Sequence, residues 1–457
     1  MRLLRVLGAL VVTVTLLTDT PPAAAAGETH LELEGPTSAE RNGPVTFAGR
    51  LTAADGTGLP GQEVRLDRQT PTGWQQASVA ITSVDGSASW TLDFQATTTY
   101  RAMFAGTVEL DAVESGPVTV VGVPRRTRIT VTGTFWLLDE TSRRFTVRWS
   151  TLDGRPVPNA AVAIQRRTAS GWRHVMSVRL DSSGTGTFGY GPRSDTRIRA
   201  VGATAAWWAG AASPTYAVDN RPPGRPVSYP AAAPRPRVLP PQRHAVGAGA
   251  NPEIRRIPRK VWHSMTGRSW HRGCPVGRAS LRLVRINYWD FDGYRRRGEL
   301  VVRAGIARRA AAALRGMYRG RYPIRAMYRV DRFGWSRNLR GANDYASMAH
   351  DNTSAFNCRG VVGNPRVRSP HASGRAIDVN TWENPYASRA GIVPNRWWYS
   401  RSHPRIAWRS GRHPVVRIWR RHGFRWTYGV RDSQHWDGRT TPRPIGSFVA
   451  DRPRPAR

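Results

Sequence analysis

Residues 28–220 repeat with an offset of 98 positions. The shift places Val64 on Val162, Leu66 on Ile164 and Arg68 on Arg166. It also places Gly73-Trp74 on Gly171-Trp172, Gly86 on Gly184, Trp90 on Phe188 and Arg101-Ala102 on Arg199-Ala200. One offset fitting so many positions argues for two copies of one domain. Each copy alternates apolar and polar residues over short stretches, as in Glu63-Val64-Arg65-Leu66-Asp67, the pattern of a strand with one buried face. Asp55-Gly56 and Asp153-Gly154 mark turns. Short strands with regular turn signals predict a β-sandwich over 27–122 and another over 123–218.

The two copies resemble the immunoglobulin-like repeats of bacterial surface proteins. Neither contains Cys, so neither has an inter-sheet disulfide. The remaining chain divides by composition. Met1-Arg2-Leu3-Leu4-Arg5, an apolar run from Val6 to Leu17 and Ala23 to Ala26 form a secretory signal peptide over 1–26. Its apolar core is too short for a membrane span, and no later transmembrane segment is expected. Residues 219–250 carry eight prolines and read as a semi-rigid linker. Residues 441–457, rich in Arg and Pro, read as a disordered tail. Between them, 251–440 mixes element types. Ser280 to Tyr288 reads as a strand, Ala304 to Tyr318 as a helix, Pro414 to His422 as a short helix ended by Gly423, and Phe424 to Tyr428 as a strand. The expected fold is multidomain: two all-β sandwiches followed by an α+β domain.

The formal net charge is +38, from 69 Lys+Arg against 31 Asp+Glu, and Lys260 is the only lysine. Residues 251–457 hold 43 basic and 12 acidic residues, a net of +31, which leaves +7 for residues 1–250. The apolar content excludes a disordered chain. Two cysteines exclude a four-cysteine zinc site, and export permits Cys274 and Cys358 to form a disulfide. The arginines are spread along the C-terminal region, without a helix-turn-helix, zinc-finger or RNA-binding signature. No nucleic-acid partner is therefore expected, and the basic surface suits anionic cell-wall polymers.

The chemistry concentrates in Ser369-Pro370-His371-Ala372-Ser373-Gly374-Arg375-Ala376-Ile377-Asp378-Val379-Asn380. Gly374 permits a turn, and Arg375 to Asn380 reads as a strand on which Ala376, Asp378 and Asn380 share a face. A carboxylate entering the core is costly unless paired or bound to metal. His371 lies across the turn from Asp378. Asp432-Ser433-Gln434-His435 adds a second imidazole and another carboxylate. Two His and one Asp give three ligands for Zn2+, and the remaining carboxylate can act as general base.

The pattern S-x-H-x-x-G-x-A-x-D followed by D-x-x-H resembles the zinc peptidase family of D-alanyl-D-alanine carboxypeptidases and L-alanyl-D-glutamate endopeptidases, of the hedgehog/DD-peptidase fold type. The resemblance runs from about Trp270 to Trp436. It includes Gly273-Cys274-Pro275-Val276, Phe291-Asp292-Gly293, Tyr322-Pro323-Ile324 and Asp351 to Arg359. It implies a secreted peptidase acting on peptidoglycan stem peptides. His371, Asp378 and His435 would hold Zn2+, and Asp432 would be the catalytic base. Arg359 would hold the substrate carbonyl or the oxyanion, and Ser369 the substrate backbone. Asp at position 432 is commoner among endopeptidase members; carboxypeptidase members often carry Glu there. The competing readings are a non-catalytic basic module for wall polymer or nucleic acid, and an adhesin. Trp397, Trp398 and Trp408 fit core packing better than a glycan groove. His350, His403, His413 and His422 have no assigned role, and Asp292 reads as a turn residue.

Overall fold

The computed structural model describes residues 27–205 and 208–438. The expected signal peptide and Arg/Pro tail lie outside these residues. The chain forms two compact units. One comprises residues up to Gly133, Arg144–Phe188 and Arg197–Tyr216; the other comprises Thr134–Arg143, Gly189–Thr196 and the chain from Ala217 on. Among the described residues no helix is long and apolar enough to cross a membrane.

In the first copy of the repeat, Thr29–Glu34, Pro44–Ala53 and Ser87–Asp93 form one antiparallel sheet. The second sheet runs Ser38–Glu40, Val118–Val123, Thr98–Phe104, Glu63–Thr70, Gly73–Ile81. Alternate residues point inward, so Leu31, Phe47, Leu51 and Trp90 of one sheet meet Val64, Leu66, Tyr100 and Phe104 of the other.

The second copy repeats the register. Leu66 pairs with Ser78 and Ala102, and Ile164 pairs with Met176 and Ala200. An irregularity follows both Leu66 and Ile164. The Ser115 and Ser213 hydroxyls accept from Ala102 N and Ala200 N, each at 2.9 Å. Gly86 and Gly184 both have positive φ, and a Cβ would lie 2.2 Å from Leu51 O or 2.6 Å from Trp149 O. The glycines are therefore demanded by one turn used twice.

The second unit has α+β construction. Glu253–Arg256, Leu281–Trp289 and Arg295–Arg303 form an antiparallel sheet. The helix Ala304–Arg319 lays Ile306, Ala310, Leu314 and Met317 into a core shared with Val284, Ile286, Leu300 and Val302. A smaller sheet pairs Ala376–Asp378 with His435–Gly438, and the latter with Phe424–Arg425. Ile377 and Trp436, opposite each other, join Trp408 and Trp419 in the same core. The helix Pro414–Arg421 opens on proline, is capped by His413, and is followed by Gly423 at φ +80°.

Three details differ from the sequence reading. The strand expected over Phe424 to Tyr428 ends at Arg425, and a 3-10 turn over Gly429–Arg431 follows. The strand through Asp378 stops there, because Asn380 sits at φ +47° and turns the chain; its amide donates to Pro323 O at 2.9 Å. Asn380 therefore does not extend the Asp378 face.

The third difference is the proline-rich segment 219–250, which is extended but packs along this unit. Gly224 N donates to Gly293 O at 2.9 Å and Arg237 N to Ala349 O at 2.8 Å. Trp382 Nε1 donates to Pro234 O at 2.7 Å, and Gln242 Nε2 to Met327 O at 2.8 Å. Proline interrupts helix and ladder bonding, so the segment's remaining donors and acceptors pair with groups on the surface it crosses. Tyr229 reaches a buried ionic cluster, donating to Glu383 Oε1 at 3.0 Å. There Arg325 meets Asp351 at 2.9 Å and Glu383 at 3.2 Å. Burial pushes both carboxyls above their ordinary range, Glu383 well above it.

Candidate metal centre

The local sequence builds the site from two pieces of backbone. The first is the 3-10 turn Pro370–Ser373. Ser369 caps it, its hydroxyl accepting from His371 N at 3.3 Å, and Gly374 closes it in the left-handed conformation at φ +71°. The turn carries His371 inward. The second is the small sheet, whose register sets Asp378 directly opposite His435. Backbone bonds between Asp378 and Ser354 hold the other edge, at 2.8 and 2.9 Å.

Ligand atoms of His371, Asp378 and His435 all lie within 4.8 Å of one another, and all three residues are buried. His371 Nε2 stands 3.0 Å from Asp378 Oδ2 and 3.3 Å from His435 Nδ1. His435 Nδ1 stands 3.1 Å from Asp378 Oδ1. The outward ring atoms are also held: His371 Nδ1 lies 2.6 Å from Ala355 O, and His435 Nε2 lies 3.2 Å from Asp437 Oδ1. Thr427 donates to the other Asp437 oxygen at 2.6 Å.

This donor set fits a zinc ion. The Ala355 carbonyl requires a proton on Nδ1 of His371, which turns the Nε2 lone pair inward. Asp437 does the same for His435, leaving Nδ1 as its donor. Two inward lone pairs 3.3 Å apart beside a carboxylate call for a cation between them. A second group, His271 with Cys274 and Cys358, does not fit. Its thiols are joined in a disulfide with Cα atoms 5.9 Å apart.

The site opens into a cleft of about 520 Å³. His371, Asp378, His435, Asp432, Arg359 and Ser369 all line it. Asp432 is buried, and its Oδ1 has no hydrogen-bond partner. Burial pushes its carboxyl up to about 7; His435 and His371 pull it down, and Asp378 adds to the rise. Burial alone would lower His435, but Asp378 and Asp437 raise it well above its ordinary value. Burial would raise Asp378, yet His371 and His435 hold it far below the usual carboxylate range.

These shifts set a pH dependence for the metal-free protein. Folded-state values raised above the unfolded ones give stability at low pH that is lost as pH climbs through them. Asp432 therefore weakens the metal-free fold between about pH 4 and 7, and His435 weakens it further above its unfolded value near 6.5. Comparison with an Asp432→Asn variant isolates this contribution: among chelator-treated proteins, the melting temperature of the parent relative to the variant should fall from pH 5 to pH 8. Adding Zn2+ should raise the parent's melting temperature more at pH 8 than at pH 5, because ligands that shed protons bind metal better. A parent that gains on the variant over this interval contradicts the assignment.

Arg359 and Ser369 line the cleft but are already engaged. Arg359 Nη2 pairs with Asp344 at 2.6 Å and Nη1 donates to Gly360 O at 2.9 Å. Sequence reasoning missed Asp344, Asp437 and Thr427. Strand alternation puts Asp437 on the face of His435 and was the available signal for it. Nothing local marks the other two. Trp398 and Trp408 are fully buried in the core, and Asp292 is an exposed turn residue. His350, His403, His413 and His422 belong to no group of potential metal ligands among the described residues.

Comparison with known proteins gives one family. A family model described as D-alanyl-D-alanine carboxypeptidase matches residues 362–437, the stretch holding His371, Asp378, Asp432 and His435. That part of the chain is similar to a peptidase family. No curated protein matches the chain. Three solved structures are similar over longer stretches. The D0-D1 domain of intimin is 16% identical, covering 42% of this chain and 98% of its own, at a TM-score of 0.17. A tetra-tandem repeat from the extending region of a large adhesion protein is 13% identical, covering 61% and 64%, at 0.25. Escherichia coli alpha-2-macroglobulin is 18% identical, covering 58% and 23%, at 0.17. Scores this low carry no argument about fold or function.

Proposed function

We propose that the chain is an exported zinc metallopeptidase that hydrolyses peptide bonds in peptidoglycan stem peptides. The observation that carries this reading is the convergence of His371, Asp378 and His435 in one cleft beside the unpartnered Oδ1 of Asp432. Zn2+ held by the three ligands supplies Lewis-acid chemistry, polarising a carbonyl and acidifying water.

The chain's own residues do the rest. Asp432 takes a proton from the attacking water and returns it to the departing amine. A buried carboxyl beside the three-residue group, with one oxygen lacking a hydrogen-bond partner, is placed for both transfers. Arg359, fixed by Asp344 and Gly360 O, keeps a guanidinium at the cleft wall for the substrate carbonyl. Ser369 holds the turn that aims His371 and lines the cleft, where it would contact the substrate backbone. The disulfide Cys274–Cys358 anchors the residue beside Arg359.

Purified protein incubated with isolated cell walls and with soluble stem peptides tests the reading, with products identified by mass spectrometry. New internal amino termini indicate an endopeptidase, and free D-alanine a carboxypeptidase. Chelation should stop either reaction and Zn2+ should restore it. Intact substrates after prolonged incubation with the zinc-loaded protein would reject the proposal.

A further inference from the structure

The two copies of the repeat differ sharply in charge. Residues 27–122 carry five arginines against twelve carboxylates, a net of −7. Residues 123–218 carry fourteen arginines against five carboxylates, a net of +9. Since the copies share one register, each position in one has a counterpart 98 residues away in the other. That correspondence shows where the added charge sits.

Consider the outer face of the sheet formed by Ala161–Thr168, Gly171–Arg179 and Thr196–Gly202. Val162, Ile164, Val178, Ile198 and Ala200 point inward and are buried. Strand alternation therefore turns Arg167, Trp172, His174, Arg179, Arg197 and Arg199 outward. The guanidinium of Arg199 lies 4.4 Å from the centre of the Trp172 ring and that of Arg167 lies 5.6 Å from it. In the first copy the counterparts of Arg167, His174, Arg179 and Arg197 are Gln69, Gln76, Ile81 and Thr99. None of those is basic.

The arginine common to both copies is the most informative position. In the first copy Arg101 is neutralised, 2.5 Å from Glu114 and 3.7 Å from Asp67. In the second copy the residues at those two positions are Ala212 and Gln165. Arg199 has only a neutral partner there, donating to Gln165 Oε1 at 2.9 Å. Among the described residues Arg167, Arg179, Arg197 and Arg199 form no ion pair. Both acidic partners are absent and three further arginines are present, on one face of one copy.

We propose that this face of the second copy is a docking surface for a linear polyanion of the polyol-phosphate type. Four arginines without acidic partners on one sheet face match a chain of evenly spaced phosphodiesters by charge. The Trp172 ring serves as a platform for guanidinium groups, whereas binding of single-stranded nucleic acid relies on free aromatic faces for bases. That favours a polymer without bases. The surface is independent of the peptidase reading and would tether the chain to a phosphate-rich matrix whether or not the cleft is catalytic.

The test gives the second copy the first copy's chemistry: Gln165→Asp, Arg167→Gln, Arg197→Thr and Ala212→Glu together, in the full chain. Each new residue already occupies the equivalent strand position in the first copy, so the fold should hold, with the melting temperature as control. Binding to purified glycerol-phosphate polymer is measured across a salt series. We expect affinity to fall about tenfold or more, with a shallower salt dependence, because fewer phosphates are neutralised. Hydrolysis of a soluble stem peptide should not change. Affinity within twofold of the parent would place the polymer on other arginines and overturn the proposal. So would a parent protein that prefers duplex DNA over the polymer at equal phosphate concentration. Absence of stem-peptide hydrolysis by the zinc-loaded parent would bear on the peptidase reading alone.

Discussion

Asp432→Asn will lower kcat on stem peptides by about 10²–10⁴-fold, the usual contribution of a general base. Zinc content should stay at one ion per chain, since Asp432 lies outside the three-ligand group. The substitution preserves shape and removes only the ability to exchange a proton. It also removes a buried carboxyl that ionises near pH 7. The metal-free variant should therefore be at least as stable as the parent at pH 8. Retained activity would show that some other residue accepts the proton. Loss of zinc along with activity would place Asp432 among the ligands.

The second large effect concerns Asp344, which no sequence motif marks. Asp344→Ala leaves the buried guanidinium of Arg359 without a counter-charge. Removing one partner of a buried ion pair costs about 3–5 kcal/mol. Urea unfolding of the zinc-loaded protein should show a loss of that order. The double variant Asp344→Leu with Arg359→Met should recover much of it, because it leaves no unpaired charge. It should not recover catalysis if Arg359 serves the substrate. Equal stability of the single and double variants would mean that Asp344 acts through shape and not charge.

These two residues also show what a sequence can reveal. The convergence of His371, Asp378, His435 and Asp432 on one cleft was legible because a tight turn carries one of them and two facing strands carry two others; their expected roles came from the family resemblance. Asp344 was not legible, because its role depends on a bond to a residue fifteen positions on that only the folded chain brings near. Thr427 is likewise tied to the site only through Asp437. The repeat was legible because periodicity survives in apolar positions and turn glycines. The path of the proline-rich segment was not. Its composition fits a spacer, and only the donors of Trp382, Gln242 and Tyr229 show where it lies.

The two loops of the second copy that group with the C-terminal unit have a consequence for how such chains can vary. Within that unit Arg193 holds Asp139 at 2.7 Å, and Arg295 pairs with Glu140. The first copy carries Arg41, Asn42 and Gln95 at the positions of Asp139, Glu140 and Arg193. It could not take the second copy's place without setting an arginine where Asp139 stands and leaving Arg295 without its acid. The repeats are thus homologous but not interchangeable. An array of this kind can gain or lose members upstream, while two loops of its last member are fixed by the acids and arginines of the following unit.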